Sequence, residues 1–223
     1  MLLAIDTSTE WIGLALYNGS QILFEQTWCS RNFHTTELVP AIAGIFTRTQ
    51  VKRSELTGLG IAIGPGSFTG MRIGMSVCKG MALALDLPVA GIPSLDILAA
   101  GQPVLRRPMI ALLQVGRGRF AHARYLVQNK RWTRDGKIQV HEPKEIAATI
   151  TAPVYVCGEM GPEERQILGR KWKTALLASA SQNLRRPAVL AELAWKQLHE
   201  GSPDDVVSLA PIYVHTLSNV PDV

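Results

Sequence analysis

Two polar stretches carry the residue types that hold phosphate groups in many proteins. The first, Asp6-Thr7-Ser8-Thr9, directly follows the apolar run 2–5. The second, Gly-Pro-Gly-Ser-Phe-Thr-Gly at 64–70, joins the apolar run 59–63 to a long apolar segment. A strand, a glycine turn and a helix N-terminus together direct backbone N–H groups towards an anion. The candidate residues of a nucleotide site are Asp6, Thr7, Ser67 and Thr69.

The same residues also suit a purely structural role. No lysine follows the glycines at 64–70, as a P-loop would require. Glycine and proline favour a tight strand-to-helix turn by themselves, and Ser67 or Thr69 can cap the next helix. Asp6 can accept hydrogen bonds from the N–H groups of its own turn. Local chemistry alone fits a tight connection better than a ligand site.

The histidines and cysteines do not predict a metal site. A metal pair on one helix face needs two ligands about four residues apart, and the residue four positions after His34 is Leu38. No His-Glu-x-x-His pair supports a metalloprotease. The remaining histidines and the three cysteines lack ligand spacing: His122, His141, His199, His215, Cys29, Cys78 and Cys157. Reduced thiols in a cytoplasmic protein are therefore expected.

Composition predicts a globular chain whose second half is basic. The 223 residues are 47% hydrophobic and 18% charged, which suffices for a real core. No apolar run has membrane-spanning length, and Asp6 interrupts any signal-peptide core, so no membrane partner is expected. Residues 1–104 carry six Lys/Arg against seven Asp/Glu, and residues 105–223 carry seventeen against eleven.

Basic residues are densest within 105–137, where nine Lys/Arg accompany one acid. Phe120, Tyr125 and Trp132 lie among them, a combination typical of nucleic-acid surfaces. A solvated set of strands and turns fits equally well, because clustering in sequence does not place side chains on one face. The candidate RNA contacts are Arg106, Arg107, Arg117, Arg119, Lys130 and Arg131.

The predicted elements repeat one order, strand, turn, hairpin, helix, strand and helix, so the halves look like degenerate copies of one α/β unit. Gly101-Gln102-Pro103 breaks the composition, which predicts lobes at 1–103 and 104–223. The helix predicted at 70–85 has only Arg72 and Lys79 as charges. Because a surface helix normally has a polar half, this helix is either buried in its own lobe or covered by another protein.

Several of these segments resemble the bacterial TsaB (YeaZ-type) family, once grouped with the M22 "glycoprotease" peptidases. The resemblance is carried by Ile-Asp-Thr-Ser-Thr at 5–9, His34 at the first helix, the motif Gly-Pro-Gly-Ser-Phe-Thr-Gly-Met-Arg-Ile-Gly at 64–74, and Pro-Ile-Tyr at 211–213. It implies a duplicated actin-like ATPase (ASKHA, RNase H-like) α/β fold with two lobes.

The resemblance also implies a role in making threonylcarbamoyladenosine, the modified adenosine next to the anticodon of tRNA. In that system the paralogue TsaD is catalytic, TsaE is an ATPase, and TsaB is a non-catalytic partner that meets tRNA through the complex. TsaB proteins pair with TsaD, or with themselves as homodimers, through helices that correspond to 36–49 and 70–85. The implied interface residues are Leu38, Ile42, Ile45, Arg72, Ile73, Met75, Ser76, Val77 and Lys79.

Two departures favour the accessory role. Leu38 stands where the catalytic paralogue has its second histidine, and Gln114-Val115-Gly116 stands where the family usually shows Asp-Ala-Arg. Losing that carboxylate removes charge that would hold Mg²⁺. The alternative is a nucleotide-binding ASKHA-type enzyme that acts alone through Asp6 and the 64–70 loop. No cofactor or metal is predicted. Two questions stay open: whether a nucleotide binds at a joint between subunits, and whether the isolated protein is a monomer or a homodimer.

Overall fold

The structure, a computed structural model, describes residues 1–30 and 33–214. These residues divide into two compact units. The first unit comprises Met1–Ile97 and Arg186–Ile212, and the second comprises Leu98–Arg185 with Tyr213 and Val214. Within the described ranges, no helix combines the length and apolar character that a membrane span requires.

Each unit contains a five-stranded mixed sheet. The first sheet has the order β3-β2-β1-β4-β5, and its strands are β1 (Leu2–Asp6), β2 (Trp11–Tyr17), β3 (Ile22–Cys29), β4 (Gly58–Ala62) and β5 (Val89–Ile92). The second has the order β8-β7-β6-β9-β10, and its strands are β6 (Met109–Gln114), β7 (Phe120–Gln128), β8 (Arg131–His141), β9 (Val154–Gly158) and β10 (Ala175–Leu177). The identical order, with two antiparallel and two parallel pairs of neighbouring strands in each sheet, confirms the duplication predicted from the element order.

Helices connect the strands in the same places of both copies. The described α-helices are α1 (His34–Thr49), α2 (Phe68–Leu85), α3 (Ser94–Ala100), α4 (Pro143–Thr149), α5 (Pro162–Gly169) and α6 (Pro187–His199). α1 and α4 follow the third strand of each copy, and α2 and α5 follow the fourth. The glycine-rich loop thus joins β4 to α2, as the sequence predicted.

The first sheet is covered on both faces because its strands are apolar on both faces. Leu3 and Ile5 pack in a cluster with residues of α1 and α2, such as Ile45 and Cys78. Leu2 and Ala4 lie in a second cluster that contains residues of α6. This two-sided burial is the usual setting of a sheet with parallel strands.

The division of the chain differs from the predicted one at α6. The sequence placed all of 104–223 in the second lobe, whereas Arg186–Ile212 belongs to the first unit. The reason is the close fit of α6 to the first sheet: a Cβ added at Gly60 would lie 2.6 Å from the Cβ of Ala194. Leu190 and Ala194 are both fully buried there.

Candidate functional site

The Asp6–Thr9 turn and the glycine-rich loop pack directly on each other. The Ser67 N–H donates to the Ser8 carbonyl over 2.6 Å, and the Thr7 hydroxyl donates to the Gly70 carbonyl over 2.8 Å. A Cβ added at Gly66 would lie 1.8 Å from the Ser8 carbonyl oxygen, and one added at Gly70 would lie 2.3 Å from the Thr7 carbonyl oxygen. The glycines therefore serve the close approach of two backbone segments.

The Asp6 side chain is directed into its own turn. It is 2% exposed, and its Oδ1 accepts the Ser8 N–H over 2.9 Å and the Ser8 hydroxyl over 2.5 Å. Ser67 caps α2 by accepting the Gly70 N–H over 3.3 Å. Of the four candidate nucleotide residues, Thr69 is the exposed one. This arrangement favours the structural interpretation of the turn over phosphate binding.

Gln114 is the last residue of β6, the first strand of the second copy, as Asp6 is the last residue of β1. Asp6 pairs with Gly13 at the end of β1, and Gln114 pairs with Phe120 at the end of β6. The side chain at this duplicated position is exposed and neutral. The second unit thus lacks, at the position equivalent to Asp6, the carboxylate that a magnesium-nucleotide site divided between two halves would use.

His34 ties α1 to the same turn. It is 7% exposed, and its Nε2 lies 2.9 Å from the Thr9 carbonyl oxygen, so the ring N–H donates to the backbone. Leu38, one turn later, is fully buried. Within residues 1–30 and 33–214, no three His, Cys, Asp or Glu side chains are grouped so that they could hold a metal ion.

The structure brings together two histidines that looked scattered in the sequence. β7 and β8 pair with Phe120 opposite His141 and His122 opposite Gln139. This diagonal places His122 Nε2 2.9 Å from His141 Nδ1. Burial, and next the neighbouring His141, lower the pKa of His122 from its ordinary 6.5 to about 4. The hairpin register was the missing information, because it decides which residues of two strands meet.

The buried His122 predicts a pH-dependent stability. Its folded pKa lies below its unfolded pKa, so the unfolded chain binds the proton more readily and stability falls as the pH drops from 6.5 towards 4. We expect a loss of about 3 kcal/mol between pH 7.5 and pH 4 from this group. Urea unfolding of the wild type and of His122→Phe at both pH values measures it. An equal acid-induced loss in both proteins would contradict the assignment.

An apolar groove runs between α1 and α2. It encloses about 450 Å³, and the exposed side chains of Val39 (54%) and Leu85 (40%) open onto it. A Cβ added at Gly80 would meet nothing within 4 Å. This α1–α2 groove is lined by Val39, Ile42, Ala43, Phe46, Arg53, Ser76, Val77, Gly80, Met81, Ala84 and Leu85.

The predicted interface residues fall into three classes. Leu38, Ile45 and Met75 belong to the core of the first unit and not to its surface, because these helix positions face the sheet. Three others line the α1–α2 groove, namely Ile42, Ser76 and Val77. The remaining three border it on α2: Ile73 packs on the core, Arg72 lies over the Phe68 ring, and Lys79 donates to the Val207 carbonyl.

The sequence did not identify several residues that line the groove, because they lie beside the predicted interface residues around the circumference of α1 and α2. α2 buries one face in the core and presents another face in the groove. The signal available in the sequence was the i, i+4 series 76, 80, 84 of small residues. The missed positions are Val39, Ala43, Phe46, Gly80, Met81, Ala84 and Leu85.

The six candidate RNA contacts do not form one surface. Residues 106–107 precede β6, and residues 130–131 lie at the end of the β7–β8 turn and the start of β8. Both pairs are therefore at the edge of the second sheet where β6 begins. Arg117 and Arg119 lie in the β6–β7 turn at the opposite edge. The six residues of β6 separate the two edges by about 20 Å.

Comparisons with known proteins match the chain to one family model and to several relatives of the same name. A family model described as "TsaD: tRNA N6-adenosine threonylcarbamoyltransferase" matches residues 27–153, more than half of the chain. The Bacillus subtilis "tRNA threonylcarbamoyladenosine biosynthesis protein TsaB" is 27% identical over 220 residues, covering 96% of this chain and 93% of that protein. The protein of the same name from Escherichia coli is 37% identical over 100 residues, 45% of this chain and 43% of its own length.

Solved structures show the fold. YeaZ from Pseudomonas aeruginosa superposes with a TM-score of 0.75 at 24% identity, covering 95% of this chain and 99% of that one. The ethanolamine utilization protein EutJ from Carboxydothermus hydrogenoformans gives a TM-score of 0.52 at 14% identity, covering 86% and 89%. Together with the repeated sheet order, these likenesses confirm the duplicated actin-like (ASKHA) α/β fold with two lobes. The chain belongs to the family that this model describes as TsaD, and the proteins that it resembles over nearly its whole length are TsaB and YeaZ.

Proposed function

We propose that this protein is an accessory subunit in the biosynthesis of threonylcarbamoyladenosine in tRNA, and that it docks on a catalytic TsaD paralogue. The curated relatives carry the name of that biosynthesis. The observation that carries the docking proposal is the open α1–α2 groove. The paralogue, with TsaE as a further component, would supply the chemistry.

The groove has the properties of a helix-docking surface. Its floor is formed by apolar residues such as Ile42 and Met81, and small residues at Ala43, Gly80 and Ala84 let another backbone approach closely. Contiguous exposed apolar surface on a soluble domain usually marks an interaction site. Arg53 is the charged residue of the lining, so we expect the partner to present an apolar helix with an acidic group at its border.

The Asp6–Thr9 turn and the glycine-rich loop at 64–70 support an accessory role. Asp6 is bonded to Ser8 of its own turn, and the duplicated position carries Gln114. His34 donates to a backbone carbonyl and has Leu38 one turn away, so the helix offers no second imidazole at that spacing. These residues hold the first unit together where a catalytic relative would bind ligands.

Gly80→Glu tests the docking proposal without disturbing the core. The new side chain projects into open space within the chain, and glutamate has a higher helix propensity than glycine. Burying a charge in an apolar interface typically costs several kcal/mol, so we expect affinity for the TsaD paralogue of the same organism to fall about 100-fold or more. Light-scattering chromatography and calorimetry of the two purified proteins measure this.

Ala148→Glu is the matched control, because it places the same charge on an exposed position of α4 in the second unit. We expect this variant to form the one-to-one complex normally. A wild-type chain that self-associates and ignores the paralogue would contradict the proposal, as would normal pairing by Gly80→Glu. A charge at Met75 is unsuitable for the test, because that side chain is only 6% exposed and its replacement would unfold the unit.

A further inference from the structure

One edge of the second sheet gathers basic residues from three separate parts of the chain. β6, β9 and β10 are parallel and therefore all begin at this edge, where β7 also ends and β8 begins. The segments that lie there precede β6, join β7 to β8 and precede β10. We call them the basic edge, defined as residues 106–107, 130–131 and 170–173.

The strand registers fix this placement. Met109 pairs with Tyr155, and Val154 pairs with Ala175, so residues 106–107 and 170–173 leave the sheet on the same side. The turn at 129–130 follows Gln128, three residues beyond the Tyr125 that pairs with Met109, and Arg131 begins β8 opposite Gln128. Four strand spacings make the row about 19 Å wide. Its seven cationic side chains are exposed or, in the case of Lys171, half-buried.

The acidic residues within 98–185 lie elsewhere. Residues 98–185 contain fifteen Lys/Arg and six Asp/Glu. Asp135 lies within β8 and pairs with Arg124 over 3.5 Å. The other five follow the ends of β8 and β9 at the opposite edge: Glu142, Glu145, Glu159, Glu163 and Glu164. The basic edge is therefore a field of one sign, which attracts a polyanion.

An exposed tryptophan stands at the β10 end of the row. The Trp172 side chain is 74% exposed, although its turn is fixed by hydrogen bonds from the Thr174 and Ala175 N–H groups to the Lys171 carbonyl, over 2.8 and 2.7 Å. Lys173 Nζ lies 5.4 Å from the ring centroid. A large aromatic face held in water between cations is the arrangement on which unpaired nucleobases stack.

We infer that the basic edge binds RNA, with its cations on the phosphates and Trp172 stacked on an unpaired base. The choice of RNA among polyanions rests on the proposed function, which places the chain beside tRNA. A membrane-surface site would need a broad apolar face beside the cations, whereas this edge offers one indole. Arg117 and Arg119 are not part of this contact surface, because they lie in the β6–β7 turn at the other edge of the sheet.

Titration of a fluorescently labelled, unmodified tRNA transcript with the full chain alone tests the inference, from about 50 to 200 mM salt. Neutralising two phosphate contacts with Arg170→Gln/Lys173→Gln should reduce the slope of log K against log salt by about 1.4 to 1.8. The matched double variant Arg117→Gln/Arg119→Gln, with the same loss of charge, should keep the wild-type slope. Trp172→Ala should weaken binding about tenfold, and Trp172→Phe should restore most of it.

Three results would overturn the inference. The first is that the transcript does not bind at the lowest salt concentration. The second is an equal reduction, in the two double variants, of the slope of log K against log salt, which would indicate a response to net charge alone. The third is binding to vesicles of anionic and neutral phospholipid without binding to the transcript. Pairing of the same variants with the TsaD paralogue is measured separately, so failure of RNA binding and failure of the docking proposal are distinguished.

Discussion

Gly66→Ala is expected to destabilise the first unit by about 4 kcal/mol, beyond the ~1–3 kcal/mol usual for an overpacked side chain. The added Cβ would lie 1.8 Å from the Ser8 carbonyl oxygen and 2.7 Å from its carbon. Both obstacles are backbone atoms, so no side chain can turn away. Relief requires separating the loop from the turn, which also breaks the 2.6 Å hydrogen bond between Ser67 and Ser8.

Chemical denaturation with regional hydrogen exchange measures this effect, because exchange reports on β1 and α2 separately from the second unit. Gly80→Ala is the matched control: the same methyl group meets nothing within 4 Å, and the better helix propensity should stabilise α2 by up to about 1 kcal/mol. A Gly66→Ala protein as stable as the wild type would contradict the packing role of Gly66. The close approach of a phosphate group to the loop would then be the better explanation of this glycine.

Arg185→Met is expected to destabilise the second unit by about 3–5 kcal/mol, because it removes the positive charge beside a largely buried carboxylate. The Arg185 and Glu159 side chains are 2% and 12% exposed, and Arg185 Nη1 lies 2.5 Å from Glu159 Oε1. Methionine keeps most of the arginine's apolar volume, so the effect reports on the lost charge rather than on a cavity.

The double variant Arg185→Met/Glu159→Leu should recover most of that loss, because removing both charges removes the desolvation penalty. Lys196→Met is the surface comparison: Lys196 and Glu200 are both more than half exposed, at 3.5 Å, and the loss should be about 0.5 kcal/mol or less. Urea denaturation of the four proteins gives the comparison. A single variant that loses no more than Lys196→Met would contradict a buried, stabilising pair.

The sequence by itself determined those features that depend on neighbours along the chain. Alternation and apolar runs predicted most strands, and three glycines with a serine predicted the turn that starts α2. The repeated order of elements predicted the duplicated α/β fold, and the motif at 64–74 pointed to the family. The low charge of α2 also predicted that the helix is either buried in its own lobe or covered by another protein.

The tertiary structure alone decided which distant residues meet. Strand register set the His122–His141 pair and divided the six candidate RNA contacts between opposite edges of the second sheet. Packing against the first sheet assigned α6 to the first unit. The packing angle of α2 placed Met75 in the core and Gly80 in the groove. Periodicity states that a residue faces inwards or outwards, but the partner on that face depends on long-range pairing, which no local pattern encodes.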